Sequence, residues 1–344
     1  MPSGVTSAGS GEGAAGSPGQ TRGQGSAAGE QGQTAPAAIR DFVPMTQDIP
    51  CDFCGGTDFV FFCDRMRYGL HLKTVLCKCC GLAQTNPQPT AESLAAFYGQ
   101  FYHLFHQRVG VDDAYLARSN RMADRRFQLV TRFLDPAARA FVLEVGPGAG
   151  AFLAKCKESS AWEHLGMEPG TESYAWCAGQ GLNVVHEGFE EFESPNRFSL
   201  ITAFHVMDHL RSPKAFLEKC HALLADDGLL SLEVVNFERP SLPRETFLQF
   251  PLLYQLTYIS LTNYLQKAGF RPIYVDESLS SEAVGTLTIV SRRVHERGSN
   301  DFIHIDLDKH LRSLDRKDRL YRLAEWLPRF SIFGRLRSVL KSVH

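Results

Sequence analysis

Apolar residues recur along this chain with two periods, and the alternation between them predicts its elements. Short apolar runs, the mark of strands buried on both faces, fall at 141–146, 164–167, 183–186, 198–204 and 228–235, then near 272–276 and 285–292. Helical spacing fills the gaps at about 151–159, 171–180, 212–224 and 260–268, the third opened by Ser212 as cap and Pro213 as first residue. Upstream, 112–134 is amphipathic through Tyr115, Leu116, Met122, Phe127, Val130 and Phe133, and closes on Asp135-Pro136. Strands alternating with helices at this spacing predict an α/β fold, a doubly wound, mostly parallel seven-stranded sheet with its ligand crevice at the strand carboxyl ends. The last strand, from Gly285, follows another without a helix large enough for a parallel crossover, so it is expected to run antiparallel.

The first of these strands breaks into Gly146-Pro147-Gly148-Ala149-Gly150, and helical spacing resumes at once through Phe152, Leu153 and Cys156. A glycine turn at a strand's carboxyl end lets a ligand approach the backbone, because no Cβ stands in the way. Glu144, a carboxylate inside an otherwise apolar strand, is costly to bury unless partners hydrogen-bond to it, and a cationic or hydroxyl-rich ligand would supply them. Glu168 lies about 20 residues beyond the turn, where a dinucleotide-binding protein holds a ribose. The turn reads G-x-G-x-G rather than G-x-G-x-x-G, which argues against a dinucleotide.

Ahead of this domain, Cys51-x-x-Cys54-Gly is answered by Cys77-x-x-Cys80-Gly, with strand-like runs between. Two such knuckles match a structural four-thiolate zinc site, closed to catalysis. Cys63 and Cys79 are extra thiols, and spacing favours Cys77 and Cys80 as ligands. An extended Asn86-Pro87-Gln88-Pro89 segment leads to a helix capped near Thr90, then to a run of aromatics, Phe97, Tyr98, Phe101, Tyr102, His103 and Phe105. These read equally as core packing or as a Tyr98 or Tyr102 cover over a ligand.

Composition changes this picture at the two ends. Residues 1–40, rich in Gly, Ala and Ser and without an aromatic, cannot bury enough apolar surface to fold and read as a disordered tail. The net charge of −2 argues against wholesale nucleic-acid binding, yet residues 311–344 carry nine Lys/Arg against three Asp/Glu. There Ile332, Leu336, Val339, Leu340 and Val343 share one helical face, which would pack on the domain, on a second copy as a homo-oligomer, or, as the lesser alternative, on a membrane surface. Without a secretory signal or membrane span, and with nine cysteines, an odd number, the expected location is cytoplasmic with free or metal-bound thiols.

Together the E-x-G-x-G-x-G turn, the acidic residue after the second strand and the antiparallel seventh strand resemble the class I S-adenosylmethionine-dependent methyltransferases, over roughly residues 84–293. More narrowly, C-x-x-C-G, C-x-x-C-G-L, N-P-x-P, the glycine turn and His205-Val-Met-Asp-His209-Leu resemble the zinc-containing branch that includes nucleotide-sugar C-methyltransferases.

That resemblance implies a Rossmann-like methyltransferase domain with S-adenosylmethionine and structural zinc. Gly146, Gly148 and Gly150 would line the methionine and ribose portion, Glu144 would face the ammonium, Glu168 would accept from the ribose hydroxyls, and Phe189 would flank adenine. His205, after the fourth strand, is the candidate base, with Asp208 and His209 as local caps. The branch's Glu-His pair ahead of a Tyr-aromatic-Ser segment is replaced here by Tyr254-Gln255, with Tyr258 following. The expected reaction is therefore O- or N-methylation of a small-molecule substrate, with Tyr254 or Tyr258 orienting it; sugar C-methylation and a non-catalytic zinc-ribbon interaction protein are the alternatives. The expected organisation is a tail (1–40), a zinc module (41–90), a helical lid or linker (91–135), the methyltransferase domain (136–295) and a basic helical extension (296–344).

Overall fold

The computed structural model describes residues 42–64, 66, 70–101, 111–159, 161–238, 248–277, 285–295 and 302–326. The expected tail at 1–40, the aromatic residues Tyr102, His103 and Phe105, and the apolar helical face at 332–343 lie outside the described residues.

The N-terminal part is built of short strands, β1 (Thr46–Gln47), β2 (Phe59–Cys63), β3 (Thr74–Cys77), β4 (Ala83–Thr85) and β5 (Gln88–Pro89). Two helices follow, α1 (Ala91–Gln100) and α2 (Asp113–Val130). Their starts are set by side chains that accept orphan N–H groups, Thr90 from Ser93 and Asp112 from Tyr115.

The alternating region then reads β6 (Ala140–Val145), α3 (Ala151–Glu158), β7 (Trp162–Met167), α4 (Thr171–Gly179), β8 (Val184–Val185) and β9 (Phe198–Phe204). A 3-10 turn at Met207–His209 leads to α5 (Pro213–Leu223) and β10 (Leu224–Val235). Next come β11 (Tyr254–Gln255), α6 (Tyr258–Lys267), β12 (Phe270–Asp276), β13 (Thr286–Arg293) and α7 (Leu307–Trp326). Ser212 caps α5 with Pro213 inside its first turn, and Thr257 and Ser260 form a reciprocal capping box on α6.

Seven strands form one sheet in the order β12-β13-β10-β9-β6-β7-β8. The pairs among β10, β9, β6, β7 and β8 are parallel, and β13 runs antiparallel to both β10 and β12, as the missing crossover predicts. This is the α/β Rossmann-like methyltransferase fold. Its core strands are buried almost throughout, which is why β6 and β9 read as near-continuous apolar runs.

The second sheet joins distant parts of the chain. β2, β3 and β4 form an antiparallel meander, and β11, 170 residues beyond, adds to its edge with Tyr254 opposite Gln84. One core cluster runs from Phe53, Leu76 and Leu82 to Ile201, Leu232 and Leu265, so residues 51–97 pack on the large sheet's core. Asp52 pins this contact: its carboxylate accepts from the Tyr264 hydroxyl at 2.8 Å, the Ser212 hydroxyl at 2.6 Å and the Lys214 amide at 3.0 Å. On α7, His310 and Leu314 are buried, so the start of the basic extension packs on the domain. No helix among the described residues is long and apolar enough to cross a membrane.

Candidate active site

At the carboxyl end of β6 the chain turns through three glycines with positive φ, 67° at Gly146, 57° at Gly148 and 72° at Gly150. All three face side chains that leave no room for a Cβ, one on Gly150 meeting Leu182 at 2.5 Å. A Cβ on Gly146 would stand 2.8 Å from Val206, and one on Gly148 would stand 2.6 Å from the Tyr115 hydroxyl. The turn is therefore held against the loop that carries His205 and against the start of α2.

Glu144 is 3% exposed, and its Oε2 has no hydrogen-bond partner. Burial, only partly offset by the Arg126 charge, pushes its carboxyl up from 4.5 to about 8. Glu168 lies across the turn: Oε2 accepts from the Gly148 amide at 3.0 Å and Oε1 from the Gly170 amide at 2.8 Å. Burial raises it despite those bonds, and each oxygen keeps a further lone pair for a ligand hydroxyl. The Gly-rich turn, an orphaned buried carboxylate and a second acceptor-only carboxylate suit a ligand that brings an ammonium and hydroxyl donors, as S-adenosylmethionine does.

His205 follows β9 and adopts φ 57°, an uncommon conformation for a residue with a side chain. The fold enforces it: the His205 amide donates to the Glu233 carbonyl of β10 at 2.8 Å. Its imidazole Nε2 lies 3.9 Å from the Glu233 carboxylate, and the ring is about one-third exposed, with side-chain accessibility of 35%. Burial, opposed by Glu233, keeps the imidazole below its usual value of 6.5, so it is neutral and able to take a proton near pH 7.

Glu233 is itself buried. Burial pushes its carboxyl up, but the Arg126 guanidinium outweighs this and holds it low and ionised. Arg126 donates through Nε at 2.7 Å and through a second nitrogen, and it stacks 4.1 Å over the Phe204 ring. Thr288 of β13 donates to the other oxygen at 3.4 Å. Neither Arg126 nor Glu233 was singled out by spacing. The available signal was Leu232-Glu233-Val234, the same carboxylate-in-apolar-strand pattern as Leu143-Glu144-Val145.

Other expected site residues go elsewhere. Tyr254 is 1% exposed and its hydroxyl is committed twice, donating to the Arg211 carbonyl at 2.9 Å and accepting from Gln88 at 3.1 Å. It is a core residue rather than a substrate contact. Phe189 is also in the core, 5.0 Å from the Phe216 ring and under the Lys219 ammonium, where it flanks protein instead of adenine. Tyr258 remains exposed at the start of α6. Tyr98, on α1, meets His209 Nδ1 at 3.1 Å, while Asp208 accepts through Oδ2 from the Val235 amide and its buried Oδ1 has no hydrogen-bond partner, so neither residue is the local cap expected.

The Cys51, Cys54, Cys77 and Cys80 sulfurs all lie within 4.8 Å of one another, with Cys51 to Cys80 and Cys54 to Cys77 both at 3.5 Å. A tetrahedral zinc with bonds of about 2.3 Å sets its sulfurs roughly 3.8 Å apart, so the cluster fits such an ion with little adjustment. Hydrogen bonds from Cys51 and Cys80 hold the Cys77 thiol far down, while the same shared bonds push the Cys51 and Cys80 thiols up, so the cluster shares its protons until a metal displaces them. Cys79 is exposed and outside the cluster.

The family model described as a methyltransferase domain matches residues 117–275. A tRNA U34 carboxymethyltransferase from Idiomarina loihiensis is 27% identical over 168 residues, 44% of this chain and 52% of that protein. A ubiquinone biosynthesis O-methyltransferase from Bradyrhizobium diazoefficiens is 26% identical over 121 residues, 33% of this chain and 47% of that protein. The chain thus spans about half the length of the curated relatives it matches. Among solved structures, the Burkholderia thailandensis 1,6-didemethyltoxoflavin-N1-methyltransferase, with bound 1,6-didemethyltoxoflavin and S-adenosylhomocysteine, matches with a TM-score of 0.47 and 19% identity over 64% of this chain and 96% of that one. The family match thus reads residues 117–275 as a methyltransferase domain, and the sheet order is that of the class I, S-adenosylmethionine-dependent type.

Proposed function

We propose that this protein is an S-adenosylmethionine-dependent methyltransferase that methylates an oxygen or nitrogen of a small molecule. The observation that carries the reading is the orphaned Oε2 of buried Glu144 beside a glycine turn whose residues cannot carry side chains. When bound, S-adenosylmethionine supplies a methyl group on a good leaving group. What remains for the chain is alignment, exclusion of water and the fate of one proton. Glu144 would hold the cofactor's ammonium and Glu168 its ribose hydroxyls. His205, neutral near pH 7, would accept the acceptor's proton at Nε2 as the methyl group is transferred, and ionised Glu233 would stabilise the imidazolium so formed.

The pairing of His205 with Glu233 supports turnover over a merely ligand-binding role, because it supplies a His-carboxylate pair that Tyr254-Gln255 does not. The four thiolates would hold a structural zinc, with no open position for substrate. Calorimetry of the zinc-replete protein with S-adenosylmethionine and S-adenosylhomocysteine tests the reading: binding of both at micromolar concentration is expected, and absence of binding removes the enzyme assignment.

A further inference from the structure

Beyond the cofactor turn, a cavity of about 290 Å³ opens between α2, the carboxyl end of β10 and the paired strands β12 and β13. Glu233 and Arg126 line it, so it shares a wall with the His205 pair. Its volume is at the small end of the ligand-pocket range. Met122 and Leu129 contribute apolar surface and Tyr274 a ring.

The charges in this cavity do not cancel. Three arginines, Arg125, Arg126 and Arg132, face two carboxylates, Glu233 and Asp276. Arg126 is spent on Glu233, and Asp276 is engaged by the Tyr274 hydroxyl. Arg132 stacks its guanidinium on the Tyr274 ring, 5.0 Å from its centroid, and on Phe133. Stacking uses the face of the guanidinium and leaves its in-plane N–H donors for an anion. Neither Arg125 nor Arg132 has an ion-pair partner among the described residues. Arginine's fork matches a carboxylate or phosphate with two parallel bonds.

From this we propose that the cavity is the acceptor site and that the acceptor is anionic, a small ring compound whose carboxylate or phosphate is held by Arg125 and Arg132. The inference rests on the methyltransferase reading for the word acceptor, and on the cavity alone for the anion. It narrows the substrate class from any small molecule to one that carries a negative group beside its nucleophile, with the nucleophile directed at the His205 wall.

The test is direct binding to the full chain, followed by ligand-observed NMR and calorimetry, with benzoate, phenyl phosphate and the neutral benzamide as probes. Saturable binding of benzoate or phenyl phosphate is expected, with benzamide at least tenfold weaker, and the stronger of the two anions tells a carboxylate site from a phosphate site. In an Arg125→Gln/Arg132→Gln double variant the anion affinity falls at least tenfold while S-adenosylhomocysteine affinity stays within twofold. Equal binding of benzoate and benzamide, absence of saturable binding by either anion, or full anion affinity in the variant each overturns the proposal. Anion binding that persists in a protein unable to bind S-adenosylhomocysteine would instead leave the anion site standing and remove the methyltransferase reading. Arg125 and Arg132 are both exposed, and the benzoate-to-benzamide ratio in the unaltered protein serves as the second measure should the variant fail to fold.

Discussion

Replacing Glu144 by Gln should stabilise the ligand-free protein, although it removes a group from the proposed cofactor site. In the fold this carboxyl has a pKa of about 8, against 4.5 when unfolded. Below pH 4.5 both states carry the proton and the group has no effect on stability. Between pH 4.5 and 8 the unfolded chain loses its proton while the folded chain keeps it, so the fold loses about 1.4 kcal/mol per pH unit. At pH 7 the accumulated cost is about 3 kcal/mol, and it levels off near 5 kcal/mol above pH 8. Glutamine has the shape of the protonated acid and never ionises, so the Glu144→Gln protein avoids the whole loss. At about 2 °C per kcal/mol for a chain of this size, its melting temperature should match the original near pH 4.5 and exceed it by about 6 °C at pH 7. Thermal unfolding of both proteins from pH 4.5 to 8.5 isolates the contribution, since every other titrating group is shared. Parallel curves would refute the argument. The same substitution should weaken S-adenosylmethionine at least tenfold, because an amide cannot neutralise the ammonium, so stability and affinity move in opposite directions.

Three further substitutions probe other parts of the site. Glu168→Gln should cost about 10- to 100-fold in S-adenosylmethionine affinity through one weakened charge-assisted hydrogen bond, roughly 1.5 to 3 kcal/mol, and calorimetry showing a change under twofold would remove the ribose assignment. Glu233→Gln leaves His205 without its carboxylate, whose charge raises the imidazole pKa, so the acidic limb of the kcat profile should move to lower pH and the maximal rate should fall; an unmoved limb would separate Glu233 from the reaction. Cys54→Ser should lose bound zinc by elemental analysis and lower thermal stability, and full zinc content would show that the ligand set is wrong.

The large sheet was legible because its strands are buried on both faces and its helices on one, so each element writes its own period into the sequence. All seven predicted strands are present, although the run at 183–186 pairs only at Val184–Val185. The glycine turn was readable for a local reason too, since positive φ without a Cβ is a property of single positions. What could not be read depends on partners far away. Tyr254 resembles a substrate-orienting tyrosine until Gln88 and the Arg211 carbonyl are found at its hydroxyl. Glu233 resembles Glu144 within its strand, but its meaning comes from Arg126, 107 residues earlier on α2, and from the backbone turn that brings His205 beside it. A carboxylate inside an apolar strand is a question that periodicity can raise and only tertiary structure can answer.

The short pairing of β11 with β4 has a consequence for how the protein is made. The thiolate module is synthesised before the α/β region, but the strand that completes its sheet emerges 170 residues after its partner, between β10 and β12 of the large sheet. Until then β4 presents an open edge of unpaired N–H and C=O groups, the feature by which strands recruit neighbouring chains. A nascent chain would carry that edge through synthesis of the α/β region, and a fragment ending before residue 254 would carry it permanently. Residues 42–90 therefore leave the ribosome well before residue 254 and are among the last to finish folding, so fragments cut at that apparent boundary should aggregate where the longer chain does not.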